Sequence, residues 1–278
     1  MDTFSKEAMN TEMEIRICGA DFNYARSAAE DCFSEVFMLE DLLSMYRLGS
    51  DVSMVNTCPK GEVCKLTDSA TECLMAAFAA SEMSMGAVDV CMGEFFLDAK
   101  KDAIINRPKI PRRGKFALDP ENYLIQKIED GMIDLGAIGK GYAVDRCVKK
   151  LMEVWDIENA FISFGASSIY AYGKPDNAQE WSVSLDEAGK TRIPLRNAAV
   201  GASGTAVQGA HIIDARTGKV PDFLPYRTWA FGASAAIADA MSTAFMLLEE
   251  PQIRQICDEY NLSAAIQKTE DSEIIIIE

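Results

Sequence analysis

The sequence predicts a mixed α/β fold of the α+β class. The first half has apolar residues at helical spacing, whereas the part from Met132 onward alternates short apolar runs with Gly-rich turns and then returns to helix formers. With 278 residues, 49% apolar and 25% charged, the chain can bury a large core. Because no repeat and no linker rich in Gly, Ser or Pro divides it, residues 1–278 are predicted to form a single domain.

Two helices are predicted in the first third of the chain. The stretch from Ala25 to Leu43 places its apolar residues on one helical face, which predicts an amphipathic helix against the core. A second helix is predicted from about Thr71 to Met83, where Ser69 and Glu72 have the spacing of a capping box. Neither helix indicates chemistry by its pattern alone.

The strands are predicted from short apolar runs. A first strand is expected around Met13 to Ile17, and further strands are expected in AFISFGASSIYAYG, WSVSL, AAVGASG and AHIIDARTG. The run Ile274 to Ile277 predicts a terminal strand, which would invite aggregation if its edge stayed unpaired.

The charge of the chain makes nucleic acid and anionic membrane surfaces poor partners. It has 43 acidic and 27 basic residues, a formal charge of -16 that repels phosphate groups. The basic segment NRPKIPRRGK, residues 106–115, is interpreted as a solvated loop. No stretch is long and apolar enough to span a bilayer, so no membrane span is expected.

The cysteine and histidine content argues against a zinc site and for a reducing compartment. The eight cysteines are scattered without a C-x-x-C pair, and the chain has one histidine. The cysteines are therefore expected to be buried thiols. The N-terminus has no basic region followed by an apolar run, and together these features predict a cytoplasmic protein.

A Gly-rich turn is the first candidate for chemistry. In IDLGAIGKG, residues 133–141, a short strand is predicted to lead through three glycines and Lys140 into a helix. Close backbone approach, the helix N-terminus and the lysine charge suit an anion. The glycine spacing fits neither the dinucleotide fingerprint nor the P-loop, and a plain turn is an equally good interpretation.

Two further candidates have weaker support from the residues alone. Asp239 and Thr243 lie four residues apart in a predicted helix, where they could offer hard oxygen ligands to Mg²⁺. The alternative, a solvated aspartate near a helix start, is preferred without other support. His211 is either a structural hydrogen-bonding residue or a base that titrates near neutrality, and Asp214, Arg216 and Thr217 suit a turn.

Taken in order, six motifs resemble the ApbE family of FAD:protein FMN transferases. AMNT (8–11) is similar to the family's A-M-G-T motif. SMY (44–46), followed by Ser50 and Asn56, is similar to its S-x-Y…S…N pattern, and GAVD (86–89) is similar to its F-D stretch. IDLGAIGKGYAVD resembles D-L-G-x-x-K-G-x-x-x-D, AHIIDARTG resembles H-I-I-D-P-x-T-G, and ADAMSTA resembles A-D-A-x-S-T-A. The resemblance covers most of the chain and implies an ApbE-like, T-fold-like domain with mostly antiparallel sheets and packed helices.

The resemblance also implies the site residues. Mg²⁺ would be held by Asp239, Thr243 and the carbonyl of Ala137. The base that this chemistry needs is assigned to His211, the one histidine of the chain. FAD, the substrate, would contact Met9, Tyr46, Ala87, Val88, Asp89, Asp134, Lys140 and Ile213. The reaction implied is transfer of FMN from FAD to a Thr or Ser of an acceptor flavoprotein, with release of AMP.

The chain departs from the family's pattern at several positions. Asn10 replaces a glycine, Ala215 replaces a proline, and Gly165-Ala166-Ser167 stands where the family has G-G-D. Two alternatives stay open. The first is Mg²⁺-dependent hydrolysis of FAD to FMN and AMP, which would use the same site with water as the nucleophile. The second, a catalytically impaired FAD-binding protein, is indicated by the missing carboxylate at Ser167.

Overall fold

One eight-stranded sheet forms the centre of the protein. The computed structural model describes residues 1–99, 111–186, 189–205 and 212–278. The strands of the sheet are Asp2–Ala8 (β1), Thr11–Cys18 (β2), Asn159–Phe164 (β6), Ser168–Tyr172 (β7), Ala198–Gly204 (β10), Arg227–Gly232 (β11), Ser263–Gln267 (β12) and Ile274–Ile277 (β13). Their spatial order is β1-β2-β6-β7-β10-β11-β12-β13, and every neighbouring pair is antiparallel.

Two small antiparallel sheets accompany the large one. The first has the order β3-β5-β4, and the second pairs β8 with β9. Their strands are Val63–Lys65 (β3), Lys115–Asp119 (β4), Leu124–Glu129 (β5), Trp181–Ser184 (β8) and Arg192–Leu195 (β9).

Seven α-helices and one 3-10 helix lie within the described ranges. They are Phe22–Leu43 (α1), Asp51–Thr57 (α2), Asp68–Met83 (α3), Gly93–Ala99 (α4), Gly139–Glu153 (α5), Ala235–Phe245 (α6) and Glu250–Tyr260 (α7), with the 3-10 turn at Val90–Met92. The predicted α+β class, with antiparallel sheets and packed helices, is confirmed. The extent of the domain stays a prediction.

The large sheet is covered on both faces. Because side chains alternate along a strand, Ile162 and Ala199 point into a core shared with helices α1, α5 and α6. Their neighbours Phe161 and Val200 pack on the opposite face, in a cluster with Trp181 of the small β8–β9 sheet. Helix α6 therefore lies on the sheet face that also carries α5.

The structure corrects several predicted elements. The first strand is β1, which the apolar pattern missed because its side chains alternate between exposed and half-buried. The capping box of Ser69 and Glu72 is wrong, since the hydroxyl of Thr67 caps α3 by accepting from the Ala70 N–H. Glu72 instead accepts from the hydroxyl of Tyr142 at 2.9 Å.

The terminal strand and the thiols agree with expectation. Strand β13 pairs along one side with β12, so the Ile274–Ile277 run is the last strand of the sheet. All eight cysteines fall within the described residues and are free, six of them buried and two, Cys58 and Cys64, half-buried. Among the helices that the described ranges contain, none is long and apolar enough to cross a membrane.

Candidate functional site

The segment that leads into α5, residues 133–135, does not form the predicted strand but is held in place by a side chain. Residues Ile133–Leu135 join no sheet, so that prediction is wrong. The side-chain amide of Asn56 takes the place of a neighbouring strand, because its Nδ2 donates to the Ile133 carbonyl at 2.9 Å and its Oδ1 accepts from the Ile133 N–H at 2.7 Å. One buried amide thereby satisfies both backbone groups that a strand would pair.

The Gly-rich turn meets a carboxylate of the protein. Helix α5 begins at Gly139 after Ile138, which makes no side-chain capping bond. The N–H of Gly141, in the first turn, donates to Oδ2 of Asp239 at 3.1 Å, and Lys140 Nζ lies 3.7 Å from the same oxygen. The turn predicted to suit an anion therefore faces the carboxylate of α6.

Close backbone packing fixes the position of α6, and with it Asp239, against α5 and β10. A Cβ at Gly141 would lie 2.1 Å from the carbonyl oxygen of Ala235, and a Cβ at Gly201 would lie 2.0 Å from that of Ala238. Gly141 belongs to α5 and Gly201 to β10, so only glycine lets α6 approach both elements this closely. Asp239 follows directly on Ala238 and is set by the same contacts.

Asp239 is a buried carboxyl with a raised pKa. It is 4% exposed, so the alternative of a solvated aspartate is wrong. Burial raises the pKa of this carboxyl, while the charge of Lys140 and the hydrogen bond from Gly141 act in the opposite direction. Since burying a charge is costly, a cation at this carboxylate would offset much of the cost.

The residues present fit a Mg²⁺ ion. Thr243 lies one helical turn after Asp239 and is half-buried, and Ala137 packs against the cluster that contains Met241 of α6. One carboxylate, one hydroxyl and one backbone carbonyl are hard oxygen donors, and Mg²⁺ usually takes few protein ligands and completes its shell with water and phosphate.

Asp145, the final aspartate of the IDLGAIGKGYAVD motif, joins the two helices of this site, a role that the motif alone does not predict. It lies on α5, where Oδ1 accepts from the Ala235 N–H at 2.7 Å. Its Oδ2 accepts from the Ser234 hydroxyl at 2.7 Å and the Ala236 N–H at 3.0 Å. Burial raises the pKa of Asp145, and these hydrogen bonds lower it. A side chain of α5 thus caps the N-terminus of α6.

Asp145→Ala is expected to destabilise the protein by about 2 kcal/mol, because donors at the start of α6 lose their acceptors. Urea unfolding of the wild type and the variant measures the change. Asp145→Asn retains one acceptor oxygen and should lose less. Equal stability of all three proteins would contradict this role.

Three stretches that contain predicted FAD residues lie side by side. The Ala215 N–H donates to the Ala87 carbonyl at 3.0 Å, and the Asp134 N–H donates to the Val90 carbonyl at 2.8 Å. Ile213 is buried in an apolar cluster with Ala215 and Met92. The structure therefore brings together the segments that carry Ala87, Val88, Asp89, Asp134 and Ile213.

Asp89 is buried, and its carboxylate forms an ion pair with the guanidinium group of Arg113. Its Oδ1 accepts from the Cys91 N–H at 2.9 Å and its Oδ2 accepts from Arg113 Nε at 2.8 Å. Arg112 likewise donates to Glu94. Residues 111–114 form a loop in which both arginine side chains stay about half exposed, as the interpretation of a solvated loop expects, although each guanidinium also pairs with a buried carboxylate. Residues 106–110 lie outside the described residues. A cavity of 720 Å³ opens beside Asp89, lined in part by Gly86, Phe78 and Phe116.

Met9 and Tyr46 belong to two segments that both donate hydrogen bonds to the carboxylate of Glu40. The Met9 N–H donates to Glu40 Oε2 at 3.1 Å, and Arg47, next to Tyr46, donates to Oε1 at 2.8 Å. Met9 and Asn10 form the β1–β2 turn with φ of 50° and 60°. Asparagine tolerates this left-handed conformation better than most residues, which accounts for Asn10 in place of the family's glycine.

The segment after His211 is a turn and not the predicted strand. His211 itself lies outside the described residues. Asp214 forms a single bridge with Lys219, and its carboxylate accepts from Arg216 Nε at 2.9 Å and Nη2 at 2.8 Å. Desolvation acts to raise the pKa of Asp214, but its hydrogen bonds with Arg216 and the charge of Arg216 outweigh this and hold the pKa below its usual value. The prediction that Asp214 and Arg216 order the turn is confirmed.

Ser167 lies at the tight turn between β6 and β7. Gly165 and Ala166 both have φ of 54°, and the Ser167 hydroxyl donates to the Phe164 carbonyl at 3.2 Å. The serine hydroxyl bonds within its own turn, so this position, where the resemblance implies a carboxylate, has none.

Comparisons with known proteins agree with this geometry. The sequence profile of the ApbE family matches residues 9–266. No curated protein sequence matches the chain. The solved structures that are similar in fold include the three described next, each of which matches over nearly the whole length of both chains.

The first is the flavinyl transferase ApbE of Pseudomonas stutzeri in its apo form, with a TM-score of 0.86, 18% identity and coverage of 100% of this chain and 95% of that chain. The flavin transferase ApbE of Vibrio cholerae has a TM-score of 0.82, 20% identity and coverage of 99% and 96%. The ApbE protein of Thermotoga maritima has a TM-score of 0.82, 24% identity and coverage of 100% and 97%.

Fold and site together define an α+β protein in which two helices and a strand converge on a buried carboxylate beside a Gly-rich turn. The match over residues 9–266 identifies the particular family, and the chain belongs to the ApbE family. The predicted family is confirmed, and the expected class of enzyme, a transferase, agrees with it. At the level of the family, the assignment supports flavin transfer.

Proposed function

We propose that the protein is a Mg²⁺-dependent transferase that moves FMN from FAD to a Thr or Ser of an acceptor flavoprotein and releases AMP. The observation that carries the proposal is the buried Asp239 carboxylate, which lies against the Gly141 N–H with Lys140 3.7 Å away, in a chain of the ApbE family. Hard oxygen donors beside a basic side chain suit a pyrophosphate with its metal ion.

Each group of residues has a proposed task. Asp239, Thr243 and the Ala137 carbonyl would hold Mg²⁺, which supplies Lewis-acid polarisation of phosphate oxygens and offsets their charge. Lys140 would orient an FAD phosphate by its positive charge. The proposed flavin and nucleotide contacts are Met9, Tyr46, Ala87, Val88, Asp89, Asp134 and Ile213.

The transfer is a substitution at the phosphorus atom that bears the FMN half. The hydroxyl oxygen of the acceptor Thr or Ser forms a new bond to this phosphorus, and the bond to the bridging oxygen breaks. AMP leaves with the bridging oxygen. The hydroxyl proton passes to a base, for which we propose the imidazole of His211, the one histidine of the chain.

The purified protein incubated with FAD, MgCl₂ and candidate acceptor proteins should add the mass of FMN to one Thr or Ser and release an equal amount of AMP. Peptide mass spectrometry identifies the modified residue. An acceptor with that residue changed to Ala, and a reaction with EDTA, are the controls. If no acceptor gains FMN although FAD binds, the transferase proposal is wrong.

Hydrolysis of FAD to FMN and AMP is the second candidate. It would use the same proposed Mg²⁺ ligands, Asp239, Thr243 and the Ala137 carbonyl, and it needs no acceptor protein. Water would replace the acceptor hydroxyl as nucleophile. Release of AMP without an acceptor would select this reaction, and FAD binding without AMP release under any condition would select a catalytically impaired FAD-binding protein.

A further inference from the structure

Three hydroxyl groups converge beside Asp239. Ser203, near the end of β10, has its Oγ 2.9 Å from Ser242 Oγ and 2.9 Å from Thr243 Oγ1. Ser242 also donates its own hydrogen to the backbone carbonyl of Asp239 at 2.8 Å. Ser203 and Ser242 have no part in the site implied by the family resemblance.

The carbonyl at one end fixes the direction of the whole chain of hydrogen bonds. A carbonyl can only accept, and a hydroxyl has a single hydrogen to donate. Because Ser242 gives its hydrogen to the Asp239 carbonyl, Ser242 must accept from Ser203. The hydrogen of Ser203 is then used, so Ser203 must accept from Thr243.

This direction determines what Thr243 can offer to a ligand. Its hydrogen points to Ser203, so the lone pairs of Oγ1 are directed elsewhere. A hydroxyl can coordinate a cation only through a lone pair, and a hydrogen that pointed at the cation would repel it. Asp239 supplies the charged oxygen one helical turn earlier, on the same helix.

We propose that Ser203 is a positioning residue for the cation site and acts with Ser242 as a directed hydroxyl relay that turns the lone pairs of Thr243 toward Mg²⁺. The proposal rests on the proposed function, since it takes Asp239 and Thr243 as the ligands. Ser203 does not touch the cation. It sets the orientation of a group that does, as partners of ligating side chains do in metal sites.

Thr228 supplies a matched control for the loss of a hydroxyl at this place. It lies on β11 directly opposite Ser203 and is fully buried. Its hydroxyl donates its single hydrogen to the backbone carbonyl of Ser242 at 2.6 Å, and therefore not to a relay hydroxyl. Thr228→Val therefore removes a buried hydrogen bond between the same strand pair and α6 without altering the direction at Thr243.

The test is Mn²⁺ binding to the full-length protein with FAD present, measured from the EPR signal of free Mn²⁺. Ser203→Ala is expected to weaken Mn²⁺ binding on the order of 10-fold. Ser242→Ala should weaken it less, because Thr243 can still donate to Ser203. Ser203→Thr keeps the hydroxyl and should restore binding, and Thr228→Val should bind Mn²⁺ like the wild type. Thermal unfolding of each variant reports separately on stability.

The outcomes separate this proposal from the one on which it rests. If the wild type binds no Mn²⁺, or if Asp239→Asn binds it equally well, the metal site itself is wrong. If Asp239→Asn loses binding but Ser203→Ala keeps it, the site stands and the relay is overturned. If Thr228→Val loses as much affinity as Ser203→Ala, packing and not hydroxyl direction is responsible, and the relay is again overturned.

Discussion

Asp239→Asn is expected to lower Mg²⁺-dependent release of AMP from FAD by at least about 100-fold, since a metal ion contributes several kcal/mol to such a step and 1.4 kcal/mol corresponds to a factor of ten. The amide keeps an oxygen that can accept from the Gly141 N–H but has no charge for a cation. Coupled quantification of AMP at increasing MgCl₂ concentrations measures the effect.

Asp51→Asn is the matched control for this variant. Both aspartates are 4% exposed, and Asp51 uses one carboxylate oxygen to accept from the N–H and the hydroxyl of Thr67. Its substitution therefore changes a buried carboxylate that has structural partners only. We expect turnover close to that of the wild type. A similar loss of turnover in both variants would show that burial of a charge, and not ligation, explains the effect.

The periodic parts of the fold could be predicted from the sequence. Helix α1 buries Ala25, Ala28, Cys32 and Val36 on the face that their spacing indicates, and the helical spacing of Asp239 and Thr243 is borne out by α6. These patterns are local, so each can be recognised without the rest of the chain. The ordered motifs of the ApbE family added the identity of the fold.

The contacts that complete the site could not be predicted, because they join residues far apart in sequence. Gly141 donates to Asp239 across 98 positions, and Ser203 meets Thr243 across 40. The Asn56 amide, 77 positions before Ile133, pairs the backbone groups of a segment for which the apolar run alone predicts a strand. The sequence shows Gly141 as part of a motif. It does not show that helix α6 packs so closely against this position that no side chain fits there.

Gly141→Ala tests whether the close contact between α5 and α6, which only glycine permits at this position, is needed to keep the site intact. The added methyl group would lie 2.1 Å from the Ala235 carbonyl oxygen and 2.8 Å from Ala236 Cα, both of them backbone atoms of the α6 N-terminus. Backbone cannot rotate out of the way, so α5 and α6 must separate. Because overpacking typically costs 1–3 kcal/mol, we expect the upper end, about 3 kcal/mol.

Gly139→Ala provides the control for this substitution, since it lies two residues earlier in the same helical turn and a Cβ there would meet no atom within 4 Å. Its stability should be unchanged or higher by about 0.5 kcal/mol, because alanine restricts the unfolded chain. For Gly141→Ala the expected cost lowers Tm by roughly 5 °C. Separation of the helices also moves Ala137, which lies just before α5, away from Asp239 and Thr243 of α6, so Mn²⁺ binding should weaken in Gly141→Ala even at temperatures where the variant is fully folded. If both alanine variants have the same Tm and the same Mn²⁺ affinity, close contact between α5 and α6 does not set the position of the carboxylate.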